Sequence, residues 1–311
     1  MTQRFISIIS PSFNEEDNVV PLFERVCAVM ATMPQFDFEY LFIDNASTDR
    51  TVERLKAIAA HDRRLKIIVN TRNFGPVRSP YWGIIQTTGE ATIYLAGDLQ
   101  DPPELIPQLL AAWESGYKVV MAIKPTSEAG RVTHALRRLY YRVLDRISDV
   151  PLTRDTTGFG LYDRSVLDQV RAINDPYPYF RGLIDELGHT VCKVPFVQPR
   201  RLRGVTKNNF YSLYDNAMLG VVSHSLVPLR LASFAGFVFG GLSLLAAVAL
   251  FVAKLIWWDH FTAGLAPIAI ILFFMLGAVL LFIGILGEYV GSTHTYVQRR
   301  PVVVERERIN F

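Results

Sequence analysis

The stretch Leu95–Glu104, LAGDLQDPPE, closes an apolar run on three acids, a glutamine and a double proline. Asp98 falls at the predicted end of a strand and Gln100 two residues later, so both can face a cleft with oxygen donors. Hard cations such as Mg2+ take oxygen ligands and usually keep waters and substrate phosphates as the rest of their shell. One acid plus one amide therefore makes a divalent-ion site when a diphosphate completes it. Asp101 has a competing reading that suits its neighbours better. Followed by Pro102, Pro103 and ELIPQLLAAW, it reads as a helix N-cap with proline at the first helical position.

These residues need a scaffold, and the first 125 or so residues supply one by alternating short apolar runs with helical stretches. FISIIS, YLFID, LKIIVN, ATIYLAGD and YKVVMAI read as strands, which predicts an α/β fold with a parallel sheet covered by helices. Ligands of such sheets bind outside the carboxyl ends of the strands. The polar clusters SPSFNEEDN, DNASTDRT, NTRNFG and DLQDPPE fall there. Neither a G-x-G-x-x-G fingerprint nor a P-loop is present, so the sheet must hold its ligand by other means. The opening MTQRFISIIS has an apolar run too short for a signal peptide and reads as the first strand. Residues 124–149 read as a basic loop followed by a helix, and DTTGFGLYDRSVL as a glycine turn, a strand and a helix.

Half of the 311 residues are apolar, and the excess sits at the C-terminal end. Leu231–Ala253 runs 23 residues without a charge and Phe261–Gly287 runs 27. About 20 helical residues cross a hydrocarbon core of ~30 Å, and a buried core helix seldom runs so long uncharged. Two transmembrane helices are expected. Arg230 precedes the first, and Arg299, Arg300, Arg306 and Arg308 follow the second, so the positive-inside rule puts both termini in the cytoplasm. Trp257 and Trp258 fit the far interface. Gly236 with Gly240 and Gly287 with Gly291 suit close helix approach and equally the ordinary glycine content of membrane helices. Phe210–Leu229 reads as an amphipathic helix, lying in the interface or packed on the preceding domain.

The net charge of +3 is too mild for a nucleic-acid partner, and the basic tail serves as a topology signal or an anionic-lipid contact. Cys27 and Cys192 lack metal-ligand or redox spacing and read as packing residues. The expected organisation is a cytoplasmic domain over 1–208, a juxtamembrane amphipathic region over 209–230, two transmembrane helices over 231–290 and a cytoplasmic basic tail over 291–311.

SPSFNEEDN, IDNASTDRT, NFG and DLQDPPE, in that order, resemble the inverting family 2 glycosyltransferases. With RGVTKNN, the PLR before the first span and the GILGEYVG ending the second, nearly the whole chain is similar to the polyprenyl-phosphate branch of that family. The resemblance implies a GT-A-like domain. It also implies transfer of a sugar, with inversion, from a nucleotide diphosphate sugar such as a UDP-hexose to a polyprenyl phosphate such as undecaprenyl phosphate, at the cytoplasmic face of the inner (plasma) membrane. It carries Pro11, Asn14, Glu15, Asp44 and Asn73 over to the nucleotide-sugar pocket. Asp98 and Gln100 go to the diphosphate and to a divalent cation, Mg2+ or Mn2+. Two acids frequent in the family are replaced by Ala96 and Asn45, leaving fewer carboxylates for the ion.

A lipid phosphate attacking a diphosphate sugar brings two anions together, so the site needs cations. Arg131, Arg181, Arg201 and Lys207 lie in segments that similar proteins use near the phosphates, and each could equally serve snorkelling or topology. A phosphate monoester with a second pKa near ~6 is already ionised at neutral pH, so a dedicated base is optional. Asp155 is the candidate, while Gly158 and Gly160 stand where the family often carries an acid and an arginine. Two other readings remain: a processive polysaccharide synthase, against which stand the missing Q-x-x-R-W motif and the small number of spans, and a membrane-anchored binding protein without catalysis. The sequence leaves the sugar, the nucleotide and a homo-oligomer open.

Overall fold

In a computed structural model the described residues are 3–124, 153, 156–176, 178–197, 218, 222, 225–256, 265–298 and 300–311. Arg131, Asp155, Arg201, Lys207, Trp257 and Trp258 lie outside them, as do the helix expected before Asp149 and most of the expected amphipathic segment.

The near-continuous apolar runs form the buried strands β1 (Arg4–Ser12), β2 (Phe36–Asp44), β3 (Leu65–Asn70) and β4 (Ala91–Tyr94). Between them lie α1 (Val19–Ala31), α2 (Thr51–Ala59) and α3 (Gly75–Gln86). β1 pairs in parallel with both β2 and β4, and β2 with β3, so all four carboxyl ends share one edge. A 3-10 turn and α4 (Ile106–Glu114) lead to β5 (Val119–Ile123). β6 (Thr156–Asp163), α5 (Arg164–Ile173), α6 (Phe180–Glu186) and β7 (Val191–Pro195) follow.

Side-chain alternation along the strands divides the core. Ile6, Ile8, Phe38, Tyr40 and Phe42 pack with residues of α1, α2 and α4, whereas Ile9, Leu41, Ile43 and Ile68 pack with residues of α3, α5 and α6. The sheet departs from the purely parallel one expected, although β5 runs in the same direction as β4. β6, from later in the chain, inserts antiparallel between β4 and β5. That insertion carries Gly158 to the edge where β4 ends.

The C-terminal residues are the larger departure. Expected as a basic tail from 291, they continue a helix to Val297 and then form β8 (Glu305–Ile309), antiparallel on β3. An uncovered β3 would present a row of unpaired main-chain groups, and β8 closes that edge. Thr71 N–H donates to Val304 O at 2.9 Å, Lys56 Nζ to Glu307 at 2.7 Å and Trp82 Nε1 to Glu305. Val302 and Val303 are buried against Phe74, Tyr81 and Ile84. The acids interleaved with Arg306 and Arg308 are therefore partners of the domain.

α7 (Val227–Ile256) and α8 (Leu265–Val297) each contain a 24-residue stretch of mean hydropathy 2.0, none of it buried, long and apolar enough to cross a membrane. Phe239 and Phe274 meet edge to face at 5.9 Å. Near its end α8 returns to the domain, where the Tyr296 hydroxyl donates to Asp175 Oδ2 at 3.4 Å.

If the tail is part of the domain, two neighbouring valines must respond differently. Val303 is 5% exposed and Val304 is 47% exposed. Val303→Asp buries an unpaired charge and is expected to cost about 3 kcal/mol or more, while Val304→Asp stays within about 0.5 kcal/mol. Thermal unfolding of the detergent-solubilised protein checks this, and equal effects would mark the tail as a solvated appendage.

Candidate active site

Each parallel strand ends in a polar loop, and three of these loops contain a left-handed residue other than glycine. They are Asn14 (φ 54°) after β1, Ala46 (φ 62°) after β2 and Leu99 (φ 60°) after β4. Such conformations cost roughly 1–3 kcal/mol and persist where the surroundings over-determine them. Here the surroundings are side-chain to main-chain hydrogen bonds. Asn14 N–H donates to Ser47 Oγ at 2.8 Å and Glu15 N–H to Thr51 Oγ1 at 2.9 Å. In return Thr48 N–H donates to Asn14 Oδ1 at 2.8 Å. Asp49 accepts from Thr51 and Glu16 main-chain N–H groups, so it serves the turn.

Asn45 ties the next loop to these two. Its Nδ2 donates to Asn73 Oδ1 at 2.9 Å and to Gly75 O at 3.2 Å, while its Oδ1 accepts from Phe74 N–H at 2.8 Å and Asn70 Nδ2 at 3.2 Å. A main-chain N–H can only donate, so Phe74 determines which end of the amide is oxygen. The residue that resembled a missing acid must donate and accept at once, which a carboxylate cannot do. Sequence reasoning overlooked this role, although the amides Asn45, Asn70 and Asn73 at successive strand ends were a usable signal.

Close approach sets the fourth loop. A Cβ on Gly97 would stand 2.6 Å from Pro11 O, so only glycine lets the turn after β4 lie against the end of β1. That contact brings Asp98 up to the edge. Gln100 N–H donates to Asp98 Oδ1 at 3.2 Å, and both residues are half-buried. Asp101 is not a helix cap. Its carboxylate is buried and accepts from Ala96 N–H at 2.9 Å, closing the turn, because the 3-10 helix begins at Pro103 with Pro102 before it.

Two cavities open along this edge. One, of about 460 Å3, is lined by Pro11, Phe13, Glu15, Asn45, Asn73 and Ser79, among others. The second, of about 360 Å3, is lined by Tyr81, Gly158, Tyr179, Phe180 and Arg181, among others. Both lie in the size range of small-molecule sites. Pro76, Pro80 and Tyr94 line both. Pro11, Glu15 and Asn73 thus come together at the first cavity. Asn14 is spent on the Thr48 loop, and Asp44 is buried with its carboxylate held by Ser47 N–H at 2.8 Å. Burial pushes the Asp44 carboxyl up, opposed by the Ser47 bonds and by Arg306 of the tail.

Arg181 is the cation among the described residues lining the two cavities, and its Nη1 donates to Thr156 O at 2.8 Å. Among the described residues no three His, Cys, Asp or Glu side chains converge to hold a metal. The donor set still fits a hard cation of the Mg2+ type. Asp98 supplies one half-buried carboxylate with Gln100 beside it, and such ions take the remaining oxygens from diphosphate and water.

Residues 7–171 match the model for Glycosyl transferase family 2, a segment that begins in β1 and ends in α5. The chain belongs to this family. It is 33% identical over 300 residues to the uncharacterized glycosyltransferase YkcC of Bacillus subtilis, covering 96% of this chain and 92% of that protein. A bactoprenol glucosyl transferase of Shigella phage SfX is 28% identical over 304 residues, covering 97% of this chain and 99% of the phage protein. Among solved structures, glucosyl-3-phosphoglycerate synthase from Mycobacterium tuberculosis is 20% identical with a TM-score of 0.47, covering 70% of this chain and 76% of that chain. The protein is a glycosyltransferase with a GT-A-like domain and a mostly parallel sheet, as the resemblance implied.

In this family 2 glycosyltransferase, Asn45→Asp sets a carboxylate oxygen against Asn73 Oδ1 and Gly75 O. The variant is expected to lose about 1–3 kcal/mol of stability. Denaturant unfolding measures that loss, and an unchanged midpoint would show that the amide is not required.

Proposed function

We propose that the protein transfers a sugar from a nucleotide diphosphate sugar, a UDP-hexose in the first instance, to a polyprenyl phosphate such as undecaprenyl phosphate, with inversion. The observation that carries this reading is the pair of cavities sharing one wall, with the Asp98 turn at the carboxyl edge and Arg181 lining the second cavity. Two phosphate-bearing substrates need two neighbouring sites and positive charge near them to offset their repulsion. The relatives named bactoprenol glucosyl transferase support a lipid acceptor and make glucose the first sugar to test.

In this reading Pro11, Glu15 and Asn73 hold the nucleotide, and Asp98 with Gln100 would hold Mg2+ or Mn2+ at the diphosphate. Once bound, such an ion supplies positive charge to the leaving group. Arg181 offsets the charge of the acceptor phosphate, and Arg131, Arg201 and Lys207 are proposed to join it. An acceptor phosphate oxygen forms the new bond to the anomeric carbon while the bond to the diphosphate oxygen breaks. The nucleoside diphosphate leaves with the electron pair, and the anomeric centre inverts. The acceptor is already ionised at neutral pH, so Asp155 is needed at most to orient it.

β8 pairs with β3, which supports a domain and tail on the same side of the membrane, and two helices then cross as a hairpin. The arginines flanking the spans favour the cytoplasmic side. The Tyr296–Asp175 contact supports placing the second cavity near the lipid surface, since Asp175 lies three residues before Pro178 of its wall.

Transfer of radiolabelled sugar to undecaprenyl phosphate, run across UDP- and GDP-sugars, tests the reading. Wild type is expected to give a lipid-linked product with at least one donor, and Asp98→Asn to lower the rate by about 100-fold or more. Absence of lipid-linked product from every donor would sink it.

A further inference from the structure

We propose that Tyr94 contacts the substrate: its hydroxyl bonds the sugar carried by the nucleotide and so takes part in selecting that sugar. The inference rests on the transfer reaction proposed above.

Pro76, Pro80 and Tyr94 line both cavities. In that reaction the anomeric carbon must be reached from both sides of this wall, so the sugar lies against it. Two of the three wall residues are prolines, which carry no N–H and no polar side chain. Tyr94 therefore brings the one polar side-chain group that the wall offers.

The fully buried tyrosines Tyr40, Tyr81 and Tyr162 use their hydroxyls within the protein. The Tyr40 hydroxyl pairs with Ser10 Oγ at 2.9 Å, that of Tyr162 donates to Gly158 O at 2.9 Å, and that of Tyr81 donates to Val170 O at 3.4 Å. Among the described residues the Tyr94 hydroxyl has no hydrogen-bond partner. Tyr94 is half-buried and its hydroxyl is not among the buried unsatisfied polar atoms, so it is open to a ligand in the cavities. Gly158, which also lines the second cavity, lies beside the ring without a side chain to cover it. A Cβ there would stand 3.6 Å from Tyr94 Cε1, and its φ of +95° disfavours any other residue.

The charges nearby suit a sugar. Asp101, Arg181 and Asp98 all act electrostatically on the Tyr94 hydroxyl. Burial, with the two acids, pushes this phenol up, so it remains O–H at neutral pH and can both donate and accept. A sugar hydroxyl needs that pair of roles. The diphosphate lies nearer Asp98, and the nucleotide nearer Pro11, Glu15 and Asn73.

Tyr94→Phe keeps the ring and removes only the hydroxyl. Calorimetric titration of the full-length protein in detergent would compare UDP with UDP-glucose and UDP-N-acetylglucosamine, and GDP with GDP-mannose. The variant is expected to bind the nucleoside diphosphate as wild type does and to bind its matching sugar nucleotide about 5- to 10-fold more weakly. Its thermal unfolding midpoint should match wild type, because the hydroxyl bonds none of the described residues. An unchanged ratio of the two affinities, in a wild type that transfers sugar, overturns the assignment of Tyr94 alone. An equal loss for both ligands, or a lowered midpoint, also overturns it by giving Tyr94 a nucleotide-binding or structural role. A wild type that binds none of the sugar nucleotides overturns the transfer reading and this inference together.

Discussion

The amide of Asn45 is the contact on which the walls of the first cavity depend. Parallel strands ending at one edge leave main-chain N–H and carbonyl groups that the sheet no longer pairs, and buried groups of that kind must be satisfied. Asn45 satisfies Phe74 N–H and Gly75 O from one side chain and engages Asn70 and Asn73 as well. The loop after β3 is thereby fixed to the end of β2, and with it the N-terminus of α3, whose Pro76 and Pro80 become cavity walls. Gly97 does the same for the loop after β4 by close approach rather than by hydrogen bonding.

Rigid walls matter because the proposed chemistry brings two phosphate groups together. Coulomb repulsion between them grows as water is excluded, and the protein answers with a separated arrangement. The acid turn at Asp98 follows Gly97, which lies against Pro11, Arg181 lines the second cavity, and an uncharged wall of two prolines and a tyrosine is shared by the cavities. A neutral wall lets a sugar lie between the phosphates without adding charge.

The C-terminal strand connects this edge to the apolar helices. β8 covers β3, Val302 and Val303 pack against Phe74, and Arg306 acts on the Asp44 carboxyl. The segment that leaves α8 thus buttresses the loop that lines the first cavity. The apolar helices and the first cavity share one piece of structure, whereas charge counting along the chain had separated them.

Much was legible because it is written in local pattern. Apolar runs of strand length marked β1 to β4, the uncharged stretches marked α7 and α8, and the polar clusters marked the edge where the cavities open. That Pro11, Glu15 and Asn73 lie at this edge was legible for the same reason, each belonging to a strand end or the loop that follows it. The sequence by itself determined the alternation of elements, the apolar helices and the set of polar loops, since these follow from periodicity and hydropathy of contiguous residues. Only the tertiary structure decided that Asp101 closes a turn, that Asp44 is buried, that Asn45 works as an amide, that β6 parts β4 from β5, and that the tail returns as β8. Each of those depends on which atoms lie within about 3 Å across distant segments. Spacing along the chain does not encode that distance.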